Sequence, residues 1–285
     1  MDRRVDGETP GLEARIEALA LERRQLAESL QPFDANAWLG EPAGFPLARE
    51  MQPPELLRAL RGCGIQAALV SHWAGFKVAP QAGNGALAQA LALAGTDGAG
   101  GTGGALRACW TGLPLFPREA GLLPGAGSLP QVGAVRLFPR SHNFPLASWA
   151  LGELCSWLTE HRLPLFLWHV EVDWPSLHAL ATAFPRLAIV VETQTQKILY
   201  QNRALFALMK DCPNVHAETS NLAGADFLRW AARELGARRL LFGSFLPVND
   251  PWVALGMILE ADLSWEEKRL VAGDNLRRLL PETRE

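Results

Sequence analysis

The sequence predicts an α/β fold, a (β/α)8 TIM barrel with an extra N-terminal helix. Two observations predict it. Eight short runs rich in β-branched, aromatic or Leu residues recur along the chain, and helix-like stretches separate most of them, the alternation expected of parallel βα units. The 285 residues, 48% hydrophobic, suit one barrel domain with a large core. Eight parallel units close most naturally, because closure removes the sheet edges and the helices cover the outside. An open doubly wound sheet is the runner-up, but the sequence has no G-x-G-x-x-G or G-x-x-x-x-G-K-[ST] phosphate cradle to favour a nucleotide fold.

The strand runs are Phe33 to Leu39, Ala67 to Trp73, Leu106 to Gly112, Ala134 to Pro139, Pro164 to His169, Ala188 to Thr193, Val215 to Ser220 and Leu240 to Phe245. Helices are expected at Pro54 to Arg61, Ala86 to Ala94, Ala147 to His161, Pro175 to Phe184, Asn202 to Asp211 and Ala225 to Leu235. Only the stretch between the third and fourth runs lacks a clear helix. The Gly-rich stretch Gly95 to Gly104 precedes a strand and reads as a loop at the bottom of the barrel. Ser264 and Glu267 form a capping box for a final helix.

Ahead of the barrel, Leu12, Ile16, Leu19, Leu26 and Leu30 recur at helical spacing from Gly11 to Leu30. The chain therefore divides into an N-terminal extension, 1–31, and a barrel, 32–281. Arg23 interrupts the apolar stripe, which weakens a coiled coil and leaves packing on the barrel, the favoured reading, or a homodimer contact.

A net charge of -3 with both signs interspersed gives no electrostatic case for nucleic acid or an anionic membrane, and a small-molecule ligand is the expected partner. Cys63, Cys109, Cys155 and Cys212 lie far apart with no C-x-x-C pair and read as reduced core thiols. No signal peptide or bilayer-spanning run is evident, so a cytoplasmic location is expected.

Three segments resemble the amidohydrolase family of the decarboxylase and lactonase kind. The strand ending Leu-Leu-Phe-Gly-Ser-Phe-Leu-Pro, 240–247, is similar to the family's Phe-Gly-Ser-Asp-x-Pro. The segment 262–280 resembles its terminal helix, with Asn275 in the place of the Asn of Gly-x-Asn-x-x-x-Leu. Phe33-Asp34-Ala35-Asn36-Ala37-Trp38-Leu39-Gly40 aligns with Asp-x-His-x-His-x-Gly, the frame kept and both histidines absent. The resemblance implies a metallo-dependent-hydrolase-like barrel with metal at the strand C-termini, held by two first-strand histidines, histidines after the fifth and sixth strands, and an aspartate after the eighth. On this chain those positions carry Asn36 and Trp38, His169, Glu192 and Phe245. Trp and Phe do not ligate and Asn is a feeble donor, so no metal and no other cofactor is expected; a rearranged site on Glu171, Glu192 or Glu218 is the alternative.

Active sites on this scaffold are built from strand ends and the loops after them. His169, Glu192 and Arg136 are the catalytic candidates. Asn36, Trp38, His72, Trp73, Glu218, Ser244 and Phe245 are the candidates for holding substrate. Arg136 is an unusual charge within a strand, suited either to a substrate carboxylate or to an internal salt bridge. Glu192 and Glu218 end apolar strands, so each needs a partner, His169 or Arg136, or a wet pocket. Asp34 and Asn36, two apart on a strand, are both expected in the lumen.

Two functions fit. The first is a metal-independent hydrolase of a small lactone or other activated carbonyl compound, with His169 or Glu192 as general base and Arg136 holding a carboxylate. The second is a non-catalytic binding or partner protein in which Asn36, Trp38 and Phe245 fill the old metal pocket.

Overall fold

The computed structural model describes residues 11–42, 44–96, 105–115, 132–194, 198–222, 224 and 226–281. Eight parallel strands form one sheet in sequential order: β1 Phe33–Leu39, β2 Ala67–His72, β3 Leu106–Thr111, β4 Val132–Leu137, β5 Leu165–Trp168, β6 Ile189–Glu192, β7 Val215–Glu218 and β8 Leu240–Leu241. The last strand returns to the first. Ala35 N–H donates to Phe242 O, Phe245 N–H to Asn36 O and Trp38 N–H to Leu246 O, so the sheet closes into the expected (β/α)8 barrel.

The outer ring carries α2 Pro53–Gly62, α3 Trp73–Lys77, α4 Pro80–Thr96, α5 Ser148–Glu160, α6 Trp174–Ala183, α7 Ile198–Asp211, α8 Phe227–Ala231 and α9 Pro251–Glu260. Strand residues such as Val70, Trp110, Val135, Leu167 and Val191 face these helices in the main core. A final helical run joins α10 Trp265–Arg269 to α11 Asn275–Leu279 through a π-turn at Leu270–Asp274. Ser264 and Glu267 make the capping box that starts it. Asn275 Nδ2 clamps it to the barrel by donating to Ala237 O at 2.8 Å and Leu240 O at 2.9 Å.

Several expectations are corrected. The eighth strand keeps only Leu240 and Leu241 as regular ladder, and Phe242 to Leu246 follow β1 through scattered hydrogen bonds, with Phe245 at φ 60°. The helix expected from Ala225 becomes the short α8 followed by a π-turn at Ala232–Gly236. The helix expected at Ala86 begins at Pro80. Two helices went unread, α3 and α9. The Gly-rich stretch falls largely in 97–104 and the helix-poor stretch largely in 116–131, both outside the described residues. No described helix is long and apolar enough to cross a membrane.

The N-terminal helix, α1 Leu12–Ser29, does not pack along its length: Ala27 is its one buried residue, and Leu30 just beyond is also buried.

Candidate functional site

Lumen-facing side chains stack in three layers. At the bottom, Phe33, Ala35, Leu69, Cys109, Ala134, Phe166, Val190 and Leu241 form an apolar layer drawn from nearly every strand. Two positions further along several of these strands stand polar residues, Ser71, Arg136 and Glu192, as the period of 2 requires. Above them Trp38, Trp73, Phe138, Trp168 and Phe245 form an aromatic cluster, with Phe45, Phe76, Val170 and Val248 packed against it.

A register shift between Asp34 and Ala37 breaks the alternation of β1. Phe33 and Ala35 lie in the bottom layer, and the shift brings Asn36 and Trp38 over the lumen beside Arg136. Asp34 is therefore not the lumen partner of Asn36 that simple alternation predicts. Its carboxylate accepts from the N–H of Asn36 and of Ser244, both at 2.9 Å, and from Ser244 Oγ, so it ties β1 to the loop after β8. Burial raises its pKa, opposed by those hydrogen bonds.

The middle layer centres on Arg136, fully buried. Its Nε donates to Glu192 Oε2 at 3.0 Å and its Nη2 to Glu192 Oε1 at 2.5 Å, a bidentate ion pair with neither side chain exposed. Nη1 donates to Ser71 Oγ at 2.5 Å, and Ser71 in turn donates to Cys109 O at 2.7 Å. Nη2 also approaches Asn36 Oδ1 at 3.4 Å, which accepts from Trp38 Nε1 at 2.8 Å. The guanidinium lies 4.5 Å from the Trp38 ring and 5.7 Å from the Phe166 ring, between the upper and lower layers. Burial pushes the Glu192 pKa up while Arg136 opposes it.

Glu218, at the end of β7, accepts from Ser220 N–H at 2.5 Å, Ser220 Oγ at 2.8 Å and Thr193 N–H at 3.2 Å. Gln194, with its amide turned to satisfy its neighbours, accepts from Trp168 Nε1 and donates to Glu218 Oε2 at 3.3 Å. Burial, followed by the charge of Glu192, raises Glu218 to about 8, so it carries its proton at neutral pH.

His169 is buried, with Nδ1 3.2 Å from Glu192 O, so ring and ion pair share a residue without touching through the carboxylate. His72 is half-buried; its Nδ1 accepts from Ala74 N–H and caps α3, and burial lowers its pKa. Gly40, at φ 80°, lies so close to the His72 ring that a Cβ there would fall 2.5 Å from it. Trp38 stacks on Trp73 with centroids 4.3 Å apart, and Phe245 meets Trp73 edge-on at 6.0 Å. Trp110, also at a strand end, belongs to the outer core. Of the candidates, then, Arg136, Glu192 and Asn36 come together in one network under Trp38, Trp73 and Phe245. Glu218 and His169 adjoin it, Ser244 serves Asp34, and His72 stands at the rim.

Sequence reasoning missed Ser71 and Phe138. Ser71 stands two residues beyond Leu69 on β2, the same lumen face, and that spacing was the available signal.

The donors of the family's metal centre do not fit an ion here. Both oxygens of Glu192 are taken by Arg136, Asn36 Oδ1 serves Trp38, and a guanidinium bridges the first-strand and sixth-strand positions, where it repels a cation. Glu171, the other carboxylate considered, accepts from Ser141 N–H and Oγ at 2.8 and 2.6 Å. Among the described residues the group of three metal-type donors in mutual reach is His178, Asp211 and Cys212, on α6 and at the end of α7, outside the barrel.

Comparison with known proteins agrees with this architecture. The amidohydrolase family model matches residues 70–281. The chain belongs to that family. Its fold is similar to that of 5-carboxyvanillate decarboxylase from Sphingomonas paucimobilis, with a TM-score of 0.64 at 13% identity over 88% of this chain and 98% of that one. It is also similar to an amidohydrolase from Burkholderia multivorans solved with bound zinc, with a TM-score of 0.62 at 18% identity over 88% and 99% of the two chains. A third is 2,6-dihydroxybenzoate decarboxylase from Rhizobium, with a TM-score of 0.62 at 14% identity over 87% and 97%. No curated protein matches.

Proposed function

We propose that this member of the amidohydrolase family is a non-catalytic binding or partner protein whose barrel mouth is a structural plug. The observation that carries the reading is the burial of the Arg136–Glu192 pair beneath Trp38, Trp73 and Phe245, each at most 1% exposed. A general base or a carboxylate clamp must reach substrate, and here both oxygens of Glu192 and the fork of Arg136 are spent on each other. The loops above the plug carry unsheltered apolar side chains, Leu47 after β1, Val78 after β2 and Leu115 after β3, on the face where such barrels bind.

A second reading is the metal-independent hydrolase of a small lactone or other activated carbonyl compound. Glu218 supports it, because a carboxyl held protonated to about pH 8 at the end of β7, one strand beyond Glu192 on β6, is suited to general-acid work. In that reading the ring cluster opens to admit substrate, with His169 as base and Asn36, His72 and Ser244 along the wall.

A panel of lactones and aryl esters separates the two. The plug reading expects no turnover above the buffer rate with the purified chain. Turnover that disappears in both Glu218→Gln and His169→Asn, with both variants folded, overturns it in favour of the hydrolase.

A further inference from the structure

The N-terminal helix presents an apolar ladder that its own barrel leaves open. Leu12, Ile16, Leu19 and Leu26 follow the 4-3 spacing of a coiled-coil seam and are 72%, 57%, 59% and 45% exposed. An isolated helix of 18 residues is marginal in water, and most helix stability in proteins comes from packing an apolar face. This helix packs through Ala27, has no side-chain N-cap, and is tied to the barrel higher up by the exposed Arg23–Glu260 pair at 2.8 Å. A cleft of 810 Å³ separates Ile16, Leu19 and Ala20 from Gly62 and Trp252.

We infer that α1 is a dimerisation element, covered by the α1 of a second copy of this chain in antiparallel orientation about a twofold axis. The charges beside the seam select this occupant. Arg15 and Glu22 each precede a seam position, Ile16 and Arg23, and so line the same edge of the helix seven residues apart. No ion pair engages either of them with a described residue. When two such helices run antiparallel, that edge meets its own counterpart, which sets Arg15 against Glu22 of the other copy twice over. In a parallel pair the same edge meets the one carrying Glu13, Ala20 and Ala27, in a register that sets Arg15 against Ala20 and Glu22 against Ala27 and leaves both charges unmatched. Arg23, the polar residue within the seam, is drawn to Glu260 of its own chain and neutralised there.

Sedimentation equilibrium of the full chain tests the inference. The expected mass is twice the 31.1 kDa of the chain at about 100 μM, where a micromolar interface is filled. Leu19→Glu is expected to sediment as a monomer with the far-ultraviolet spectrum of the barrel retained. Arg15→Glu and Glu22→Arg are each expected to weaken the dimer about fivefold at low salt, and the double exchange to restore it to about twofold of the original. A wild-type monomer at 100 μM overturns the proposal, as does a dimer indifferent to Leu19→Glu. A double exchange no tighter than the singles overturns the antiparallel pairing. The same monomeric result points instead to residues 1–10 or a different protein as the cover.

Discussion

The guanidinium of Arg136 grips the carboxylate of Glu192 through two nitrogens while lying against the ring of Trp38, so one side chain joins the polar floor of the barrel mouth to its aromatic cover. A pair buried this fully has lost its hydration, and it persists because four of the five N–H donors of the fork are aimed at Glu192, Ser71 or Asn36.

Removing one partner should therefore cost more than removing both. Arg136→Met leaves Glu192 uncompensated and is expected to lower stability by about 3–5 kcal/mol. Arg136→Met with Glu192→Leu is expected to lie well above the sum of the singles in urea denaturation. Additive losses would show that the two charges do not depend on each other.

Glu218 gives the fold a pH dependence of definite sign. Its pKa rises from 4.5 to about 8 on folding, so between those values the folded state binds the extra proton and stability falls as pH rises. The stabilisation is complete below about 4.5 and is lost through about 8. Glu218→Gln, which keeps the neutral shape, is expected to flatten this slope by a few kcal/mol between pH 5 and 9 in thermal or urea unfolding. An unchanged slope would place the titrating group elsewhere.

The barrel was legible because alternation and Leu-rich runs survive in β1 to β7 whatever the site does. The eighth strand was too long in the sequence reading for a local reason: Phe242 and Phe245 carry rings that favour β structure, and Phe242 to Leu246 still bond to β1, but without a regular ladder and with Phe245 at φ 60°. The site was half legible. Arg136 stood out as a charge in an apolar strand, and an internal salt bridge was one of its two readings. Its partner was narrowed to Glu192 or Glu218, and the choice between them was not legible, because a bidentate bond between residues 56 apart depends on barrel closure. The bulge in β1, which sends Asp34 to Ser244 and Asn36 to Arg136, has no signature in a run read at period 2.

The four thiols are buried, and burial pushes Cys109 and Cys63 to about 11 and Cys155 to about 12. Thiolate is the reactive form, so native protein is expected to resist an aromatic disulfide reagent at pH 8, and all four are expected to react once guanidinium unfolds the chain. A fast-reacting native thiol would show an opening of the core that the packing does not contain.

Trp38 ties the plug to the polar layer beneath it, because it contacts three of the other four buried rings, Trp73 at 4.3 Å, Trp168 at 5.6 Å and Phe138 at 6.2 Å between centroids, and also covers Arg136. Trp38→Ala removes that volume together with the π face over Arg136, and is expected to cost about 3–5 kcal/mol. Trp38→Phe keeps a ring but deletes the Nε1 donor to Asn36, and is expected to cost about 1 kcal/mol beyond the lost area. The stacked Trp38–Trp73 pair should also give an exciton-type signal in circular dichroism that disappears in both variants. If Trp38→Ala unfolds at the wild-type urea midpoint, the aromatic layer is not what holds the mouth shut; a large loss with the signal abolished ties closure to this one side chain.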